Sequence, residues 1–175
     1  IRADEHKDDE NFTKPDRPYY QYLIKSIKAI EAWEKLGENP AAKTRVAVID
    51  TGVDAGHEDL RANLLLQNGK YKAFYNGNEA EAVGDTGNHG THVTGIISAT
   101  YGNWKGGFGV ASGRKNNLAE TMVVGSSVDG ESLTTADIIS SINYASAKGA
   151  KVMNMSFGDS RRDRLMGKAI KDAYY

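Results

Sequence analysis

An aspartate at the end of an apolar run and a histidine at the start of an expected helix are the residues of this chain best suited to acid–base chemistry. Asp50 closes Val46-Ala47-Val48-Ile49-Asp50 and is followed by Thr51-Gly52, while His89 opens His89-Gly90-Thr91-His92-Val93-Thr94-Gly95. A neutral imidazole can take the proton of a weak hydroxyl nucleophile, and the imidazolium that results needs a carboxylate to orient and stabilise it. An acid after a buried strand also serves as a turn or helix cap. Here the glycine at position 52 allows a sharp turn, so the carboxylate can point across the carboxyl edge of a sheet, where open α/β sheets bind ligands. The three-residue spacing of His89 and His92 would also suit two metal ligands on one helical face. No glutamate intervenes and no third ligand is evident, which favours a division of labour. His89 faces Asp50, and His92 packs inside as a structural histidine.

These residues need a rigid frame. Val46 to Ile49 is a continuous, mostly β-branched run of the kind found in strands buried on both faces of a parallel sheet. Ala119 to Val124 reads as a second such strand and Val152 to Met155 as a third. Between them, Ile138, Ile139, Ile142 and Ala145 mark a helix capped by Thr134 or Thr135 and stopped by Gly149. Leu23, Ile27, Ile30, Trp33 and Leu36 predict one amphipathic surface helix from Tyr22 to Leu36, and Leu165 to Ala173 starts another. Strands alternating with helices imply an α/β fold built on a parallel sheet with right-handed crossovers. Residues 1–18, with Asp4, Glu5, Asp8, Asp9, Glu10, Pro15 and Pro18, read as an extended or mobile arm.

Composition narrows the function classes. Lys+Arg 22 against Asp+Glu 23 leaves a formal charge of -1, so electrostatics make no case for nucleic acid or an anionic membrane as partner. With no cysteine, disulfides and thiolate zinc sites are excluded. No apolar run is long enough to span a bilayer. The 19 glycines gather near Asp50, near His89 and between Gly102 and Gly113, where tight turns bring backbone close to a site.

The order aspartate then histidine, each in a Gly-rich turn, resembles the subtilisin-like serine proteases, the subtilase or S8 peptidase family. The resemblance runs from about Tyr22 to Gly158 on four strings: Asp50-Thr51-Gly52, the His89 to Gly95 string, Gly109-Val110-Ala111, and Asn154-Met155-Ser156-Phe157-Gly158. It implies a three-layer α/β fold, mostly parallel, with helices on both faces. Residues 19–175 would be the N-terminal portion of a catalytic domain, C-terminally incomplete. It implies an endopeptidase with an Asp-His-Ser triad to which this chain supplies Asp50 and His89. Ser156, Phe157 and Gly158 would form one wall of the substrate cleft and Glu131, Ser132 and Leu133 the other, with Thr135 and Ile138 near a distal subsite. The partner would be a protein or peptide, bound partly by β-strand addition, and the location outside the cell or on its surface.

No cofactor is needed for this chemistry, but calcium is the family's usual stabiliser, and Asp59 matches one of its ligand positions. A solvated loop acid is the other reading of Asp59. Lys105, in the loop from Thr100 to Gly106, argues against a tight cation site there. The chain departs from the family between Ser112 and Gly130, which lacks a proline after Gly-Val-Ala and a Val-Lys-Val strand. It has no Gly-Thr-Ser-x-Ala string for the nucleophile and no oxyanion-hole asparagine before one, and neither Ser126 nor Ser127 has the nucleophile's context. The 175-residue chain is therefore expected to be inactive alone.

Two rival readings remain at this stage. Asp50-Thr51-Gly52 also resembles the motif of aspartic proteases, whose paired carboxylates share a proton, although only one copy is present and that class is all-β. A non-catalytic protein could also keep a protease-like shell for binding peptides.

Overall fold

The computed structural model describes residues 21–37, 42–103, 105–113, 117–125 and 132–175. The expected arm at 1–18, Glu131, Ser126 and Ser127 lie outside them. The elements in chain order are α1 (Tyr22–Ser26), α2 (Ala29–Leu36), β1 (Thr44–Asp50), β2 (Lys72–Tyr75), β3 (Asn78–Ala80), α3 (His89–Ser98), β4 (Ala119–Gly125), α4 (Thr135–Ala147), β5 (Val152–Asn154) and α5 (Arg164–Tyr174). The sheet runs β3-β2-β4-β1-β5. All neighbours are parallel except the β2–β3 hairpin. This is the mostly parallel α/β architecture expected. No described helix is long and apolar enough to cross a membrane.

Alternation along β1 feeds two apolar layers. Ala47 and Ile49 join Met122, Val124, Ile138 and Ile142 on one face, while Val48 joins Val123, Val53 and Leu60 on the other. Helix α4 covers the first face and α3 the second. Because β1 is covered on both sides and paired on both edges, Ala47, Val48 and Ile49 are all fully buried. The strand therefore reads as a continuous apolar run rather than an alternating one.

Helix ends follow the expected chemistry. The side chain of Thr134 accepts from Asp137 N at the start of α4, and Gly149 follows that helix at φ 77°. Asp163 caps α5, with Oδ1 accepting from Leu165 N at 2.8 Å and Met166 N at 2.9 Å, and Oδ2 accepting from Thr135 Oγ1 at 2.9 Å. These donors, the Met166 amide foremost, hold the Asp163 carboxyl below its ordinary value. A lowered folded-state value means stability that is fully present above the unfolded carboxylate's pKa and is lost as pH falls from there through the lower folded-state value. Acid titration followed by far-UV circular dichroism should therefore loosen α5 in the wild-type chain. Asp163→Asn should flatten that part of the titration, and identical acid curves would remove the linkage.

The single helix expected from Tyr22 to Leu36 is in fact two. Lys28 adopts the left-handed conformation (φ 56°) and breaks it, and the buried side becomes Ile24, Ala29 and Trp33 against Phe108. Leu23, Ile27 and Leu36 are exposed instead. Trp33 Nε1 donates to Val110 O at 2.9 Å, and Gln21 exchanges two hydrogen bonds with the Phe108 backbone. The break thus lets a short helix pair grip the Gly-Val-Ala segment, a long-range contact that periodicity does not encode.

Candidate active site

Parallel pairing of β1 with β4 brings Asp50 level with Gly125 at the carboxyl edge of the sheet. Helix α3 starts beside it. His89 Nδ1 donates to Asp50 Oδ1 at 2.7 Å, the carboxylate acting as acceptor. The Asp50 side chain is 1% exposed and that of His89 52%, so the acid is shielded while the imidazole stays open to a reactant. Asp50 Oδ1 also accepts from Thr51 N at 2.8 Å. Oδ2 is buried and has no hydrogen-bond partner among the described residues. A buried acid that fixes one imidazole nitrogen leaves the other to exchange protons, which is the arrangement of a general base.

Close backbone approach makes this contact possible. A Cβ added to Gly90 would lie 2.1 Å from Gly52 O, so only glycine lets the first turn of α3 sit on the chain leaving β1. Gly52 itself has φ 131°, and a Cβ there would meet the Tyr71 hydroxyl at 2.5 Å. Tyr71 donates to Gly84 O at 2.9 Å, and burial pushes its phenol further up, so it remains a donor. Asp85, Thr91 and Tyr71 were not singled out as site residues from sequence. The proximity of Asp85 to His89 in the chain, and the place of Thr91 in the histidine string, were the available signals.

His92 corrects the expectation of a buried structural histidine. Helix α3 packs through Gly90, Thr94 and Ser98, and His92 lies exposed on another face. The contact between Gly90 and Gly52 sets the helix rotation, and position 92 is about 200° from position 90 on a 3.6-residue turn.

Residues expected on the two cleft walls meet in part. Leu133, Phe157 and Gly158 line one groove of about 870 Å³, together with Thr135 and Ile138. Met155, from the wall string, extends its apolar lining with Met166 and Ile170, and Asp159, Arg161, Arg162 and Asp163 add charge; none of the last six is a groove residue on the sequence reading. Ser132 and Ser156 are exposed and are not among the lining residues. Ser156 Oγ accepts from Asn154 Nδ2 at 2.8 Å. The segment from Asn154 leaves β5 beside β1, where Val48 pairs with Asn154, so this wall also starts at the carboxyl edge.

Asp59 is a buried loop anchor. Its Oδ1 accepts from Asn103 Nδ2 at 2.7 Å and Thr100 N at 3.2 Å, and its backbone oxygen accepts from Thr100 Oγ1 at 2.9 Å. Burial pushes the carboxyl up, opposed by the Asn103, Thr100 and Gly107 donors. A carboxylate held by N–H donors does not present the oxygen-rich cage calcium requires, and Lys105 pairs with the adjacent Glu58. No group of three or more His, Cys, Asp or Glu side chains placed to hold a metal occurs among the described residues. Calcium at Asp59 would require Asn103 to present its amide oxygen in place of Nδ2 and backbone carbonyls to complete the shell.

Comparison with known proteins places the chain in a family. The model of the subtilase family (Peptidase_S8) matches residues 41–174. The major intracellular serine protease of Bacillus subtilis (strain 168) is 34% identical over 152 residues, covering 86% of this chain and 44% of that protein. Thermitase of Thermoactinomyces vulgaris is 31% identical over 164 residues, covering 91% and 53%. Subtilisin DY of Bacillus licheniformis is 35% identical over 158 residues, covering 90% and 50%. The chain thus spans about half the length of these relatives.

Proposed function

Because the chain belongs to the subtilase family, we propose that it supplies the aspartate and histidine of a serine-type endopeptidase. The observation that carries this reading is the 2.7 Å contact between Asp50 Oδ1 and His89 Nδ1, made by two elements that meet at the carboxyl edge of the sheet. Asp50 holds Nδ1 protonated. The other ring nitrogen then accepts the proton of a serine hydroxyl as its oxygen attacks the scissile carbonyl, and returns it to the leaving amine. An extended substrate segment lies along the Asn154 to Gly158 wall, with side chains directed into the groove that Leu133 and Phe157 share. Ser132 and Ser156, both exposed, belong to this reading as substrate-binding residues of the two walls, as does Glu131 by resemblance, although it lies outside the described residues.

The α/β sheet and the single Asp-Thr-Gly string leave the aspartic protease reading without support. A non-catalytic peptide-binding protein is the second reading, supported by the groove that Leu133 and Phe157 line, which could hold a peptide without cleaving it. The proposed location is outside the cell or on its surface, and fractionation of producing cells tests it, since one relative is by name intracellular.

A fluorophosphonate probe, which labels activated serines, separates the readings. Without a serine nucleophile there is no acyl intermediate. The 175-residue chain alone should therefore give no adduct and no hydrolysis of an unstructured protein, while the complete gene product gives both. A stoichiometric adduct on the 175-residue chain would place the nucleophile within it. A gene product that binds peptide but neither labels nor cleaves would favour the second reading.

A further inference from the structure

We propose that Asp85 is a positioning residue for the Asp50–His89 pair, acting through the hydroxyls of Thr51 and Thr91; the proposal rests on the reading of that pair as acid and base partners. Its two oxygens do different tasks. Oδ1 accepts from Thr51 Oγ1 at 2.7 Å, and Oδ2 accepts from Thr91 N at 2.7 Å and from Thr91 Oγ1 at 2.5 Å. Each threonine hydroxyl then receives an amide from the opposite side of the junction. Thr51, next to Asp50, accepts from Gly90 N at 2.9 Å, and Thr91, two residues after His89, accepts from Asp54 N at 2.9 Å.

A hydroxyl has one proton, and where it points decides which lone pairs remain for incoming donors. The Asp85 carboxylate draws both hydroxyl protons to itself through charge-assisted bonds. That leaves Thr51 Oγ1 free to receive Gly90 N–H and Thr91 Oγ1 free to receive Asp54 N–H. Two reciprocal links therefore lock the chain after β1 to the first turn of α3, next to the 2.7 Å contact between Asp50 and His89. A second consequence concerns Asp50 itself. Thr51 Oγ1 lies 3.4 Å from Asp50 Oδ1, the oxygen His89 uses. Without Asp85, the Thr51 proton can turn to that oxygen and compete with the imidazole.

The test is proton NMR of the 175-residue chain, following the His89 Nδ1–H resonance in the far-downfield region and assigning it by its loss in Asp50→Asn. In Asp85→Ala the resonance should shift upfield and exchange with water at least about tenfold faster, the factor expected for one lost charge-assisted hydrogen bond. Asp85→Asn keeps one acceptor oxygen and should fall between, and it decides the matter if Asp85→Ala does not fold. In a Thr51→Val background, which lacks the competing hydroxyl, Asp85→Ala should move the resonance far less. A melting temperature lowered with the resonance unchanged in shift and exchange would reduce Asp85 to a structural residue and overturn the proposal. An effect of equal size in the Thr51→Val background would overturn the route through Thr51. Absence of the resonance in the wild-type chain would refute the pair itself, and with it both the function reading and this role. A wild-type resonance that neither Asp85 variant disturbs would refute the role alone.

Discussion

Alanine in place of His89 is expected to lower the kcat of the active protease by at least about 10²–10⁴-fold, the contribution of a positioned general base, while leaving peptide affinity nearly intact. In the proposed mechanism its imidazole acts on the serine proton in the transition state, and interactions made chiefly there change kcat rather than binding. The groove shared by Leu133 and Phe157 lies on other elements, so its contacts survive the truncation. Asp50→Asn is the sharper companion. The side chain keeps its shape in a site where it is 1% exposed, but its amide can present a donor to Nδ1 and favour the wrong tautomer, with a loss of about 10⁴-fold in the analogous substitution of a Ser-His-Asp protease. Steady-state kinetics on a peptide substrate, with affinity measured separately, check both. A His89→Ala protein that retains wild-type turnover would end the triad reading. Loss of affinity in equal measure to kcat would mean that the histidine holds substrate rather than moving protons.

The meeting of Asp50 and His89 was legible because each sits in a string whose local geometry is set by its immediate neighbours. A β-branched run ending in Asp-Thr-Gly is a buried strand with a turn, and His-Gly-Thr-His opens a helix. Elements bounded by short-range signals were legible for the same reason, as with α4 between Thr134 and Gly149. What could not be read depends on partners distant in the chain. Lys28 carries no sign of a left-handed conformation, and only docking of Trp33 on Phe108 and Val110 accounts for breaking the first helix there. The rotation of α3, and so the exposure of His92, follows from the contact of Gly90 with Gly52, 38 residues earlier. Asp85 in isolation is a loop acid in a Gly-rich turn; its importance appears only when Thr51 and Thr91 are seen on its two oxygens. The groove is intermediate. Leu133 and Phe157 were assigned to opposite walls by resemblance, whereas Arg161, Arg162 and Met166 enter because α5 folds back on α4 through Asp163 and Thr135.

Gly90→Ala is expected to separate the catalytic pair and lower the melting temperature, whereas Gly95→Ala, in the same helix, should do neither. The new methyl at position 90 would lie 2.1 Å from Gly52 O and 3.0 Å from Gly52 N, both backbone atoms that no rotamer change can clear. Relief requires α3 to withdraw by more than an ångström, the gap between that separation and ordinary van der Waals contact. A 2.7 Å hydrogen bond lengthened that far is no longer one by geometric criteria. The same withdrawal pulls Gly90 N from Thr51 Oγ1, so the pair and one of its two supporting links fail together. Overpacking of this kind costs about 1–3 kcal/mol, or a few degrees in Tm for a chain of this size at about 2–4 °C per kcal/mol. At Gly95 nothing lies within 4 Å of an added Cβ. Alanine is the better helix former there by roughly 0.5–1 kcal/mol, so that variant should melt slightly higher and keep the downfield Nδ1–H resonance. Calorimetry and proton NMR on the two variants give the comparison. Matching melting points and an undisturbed resonance in both would mean that the close approach of α3 to β1 is not what holds His89 against Asp50.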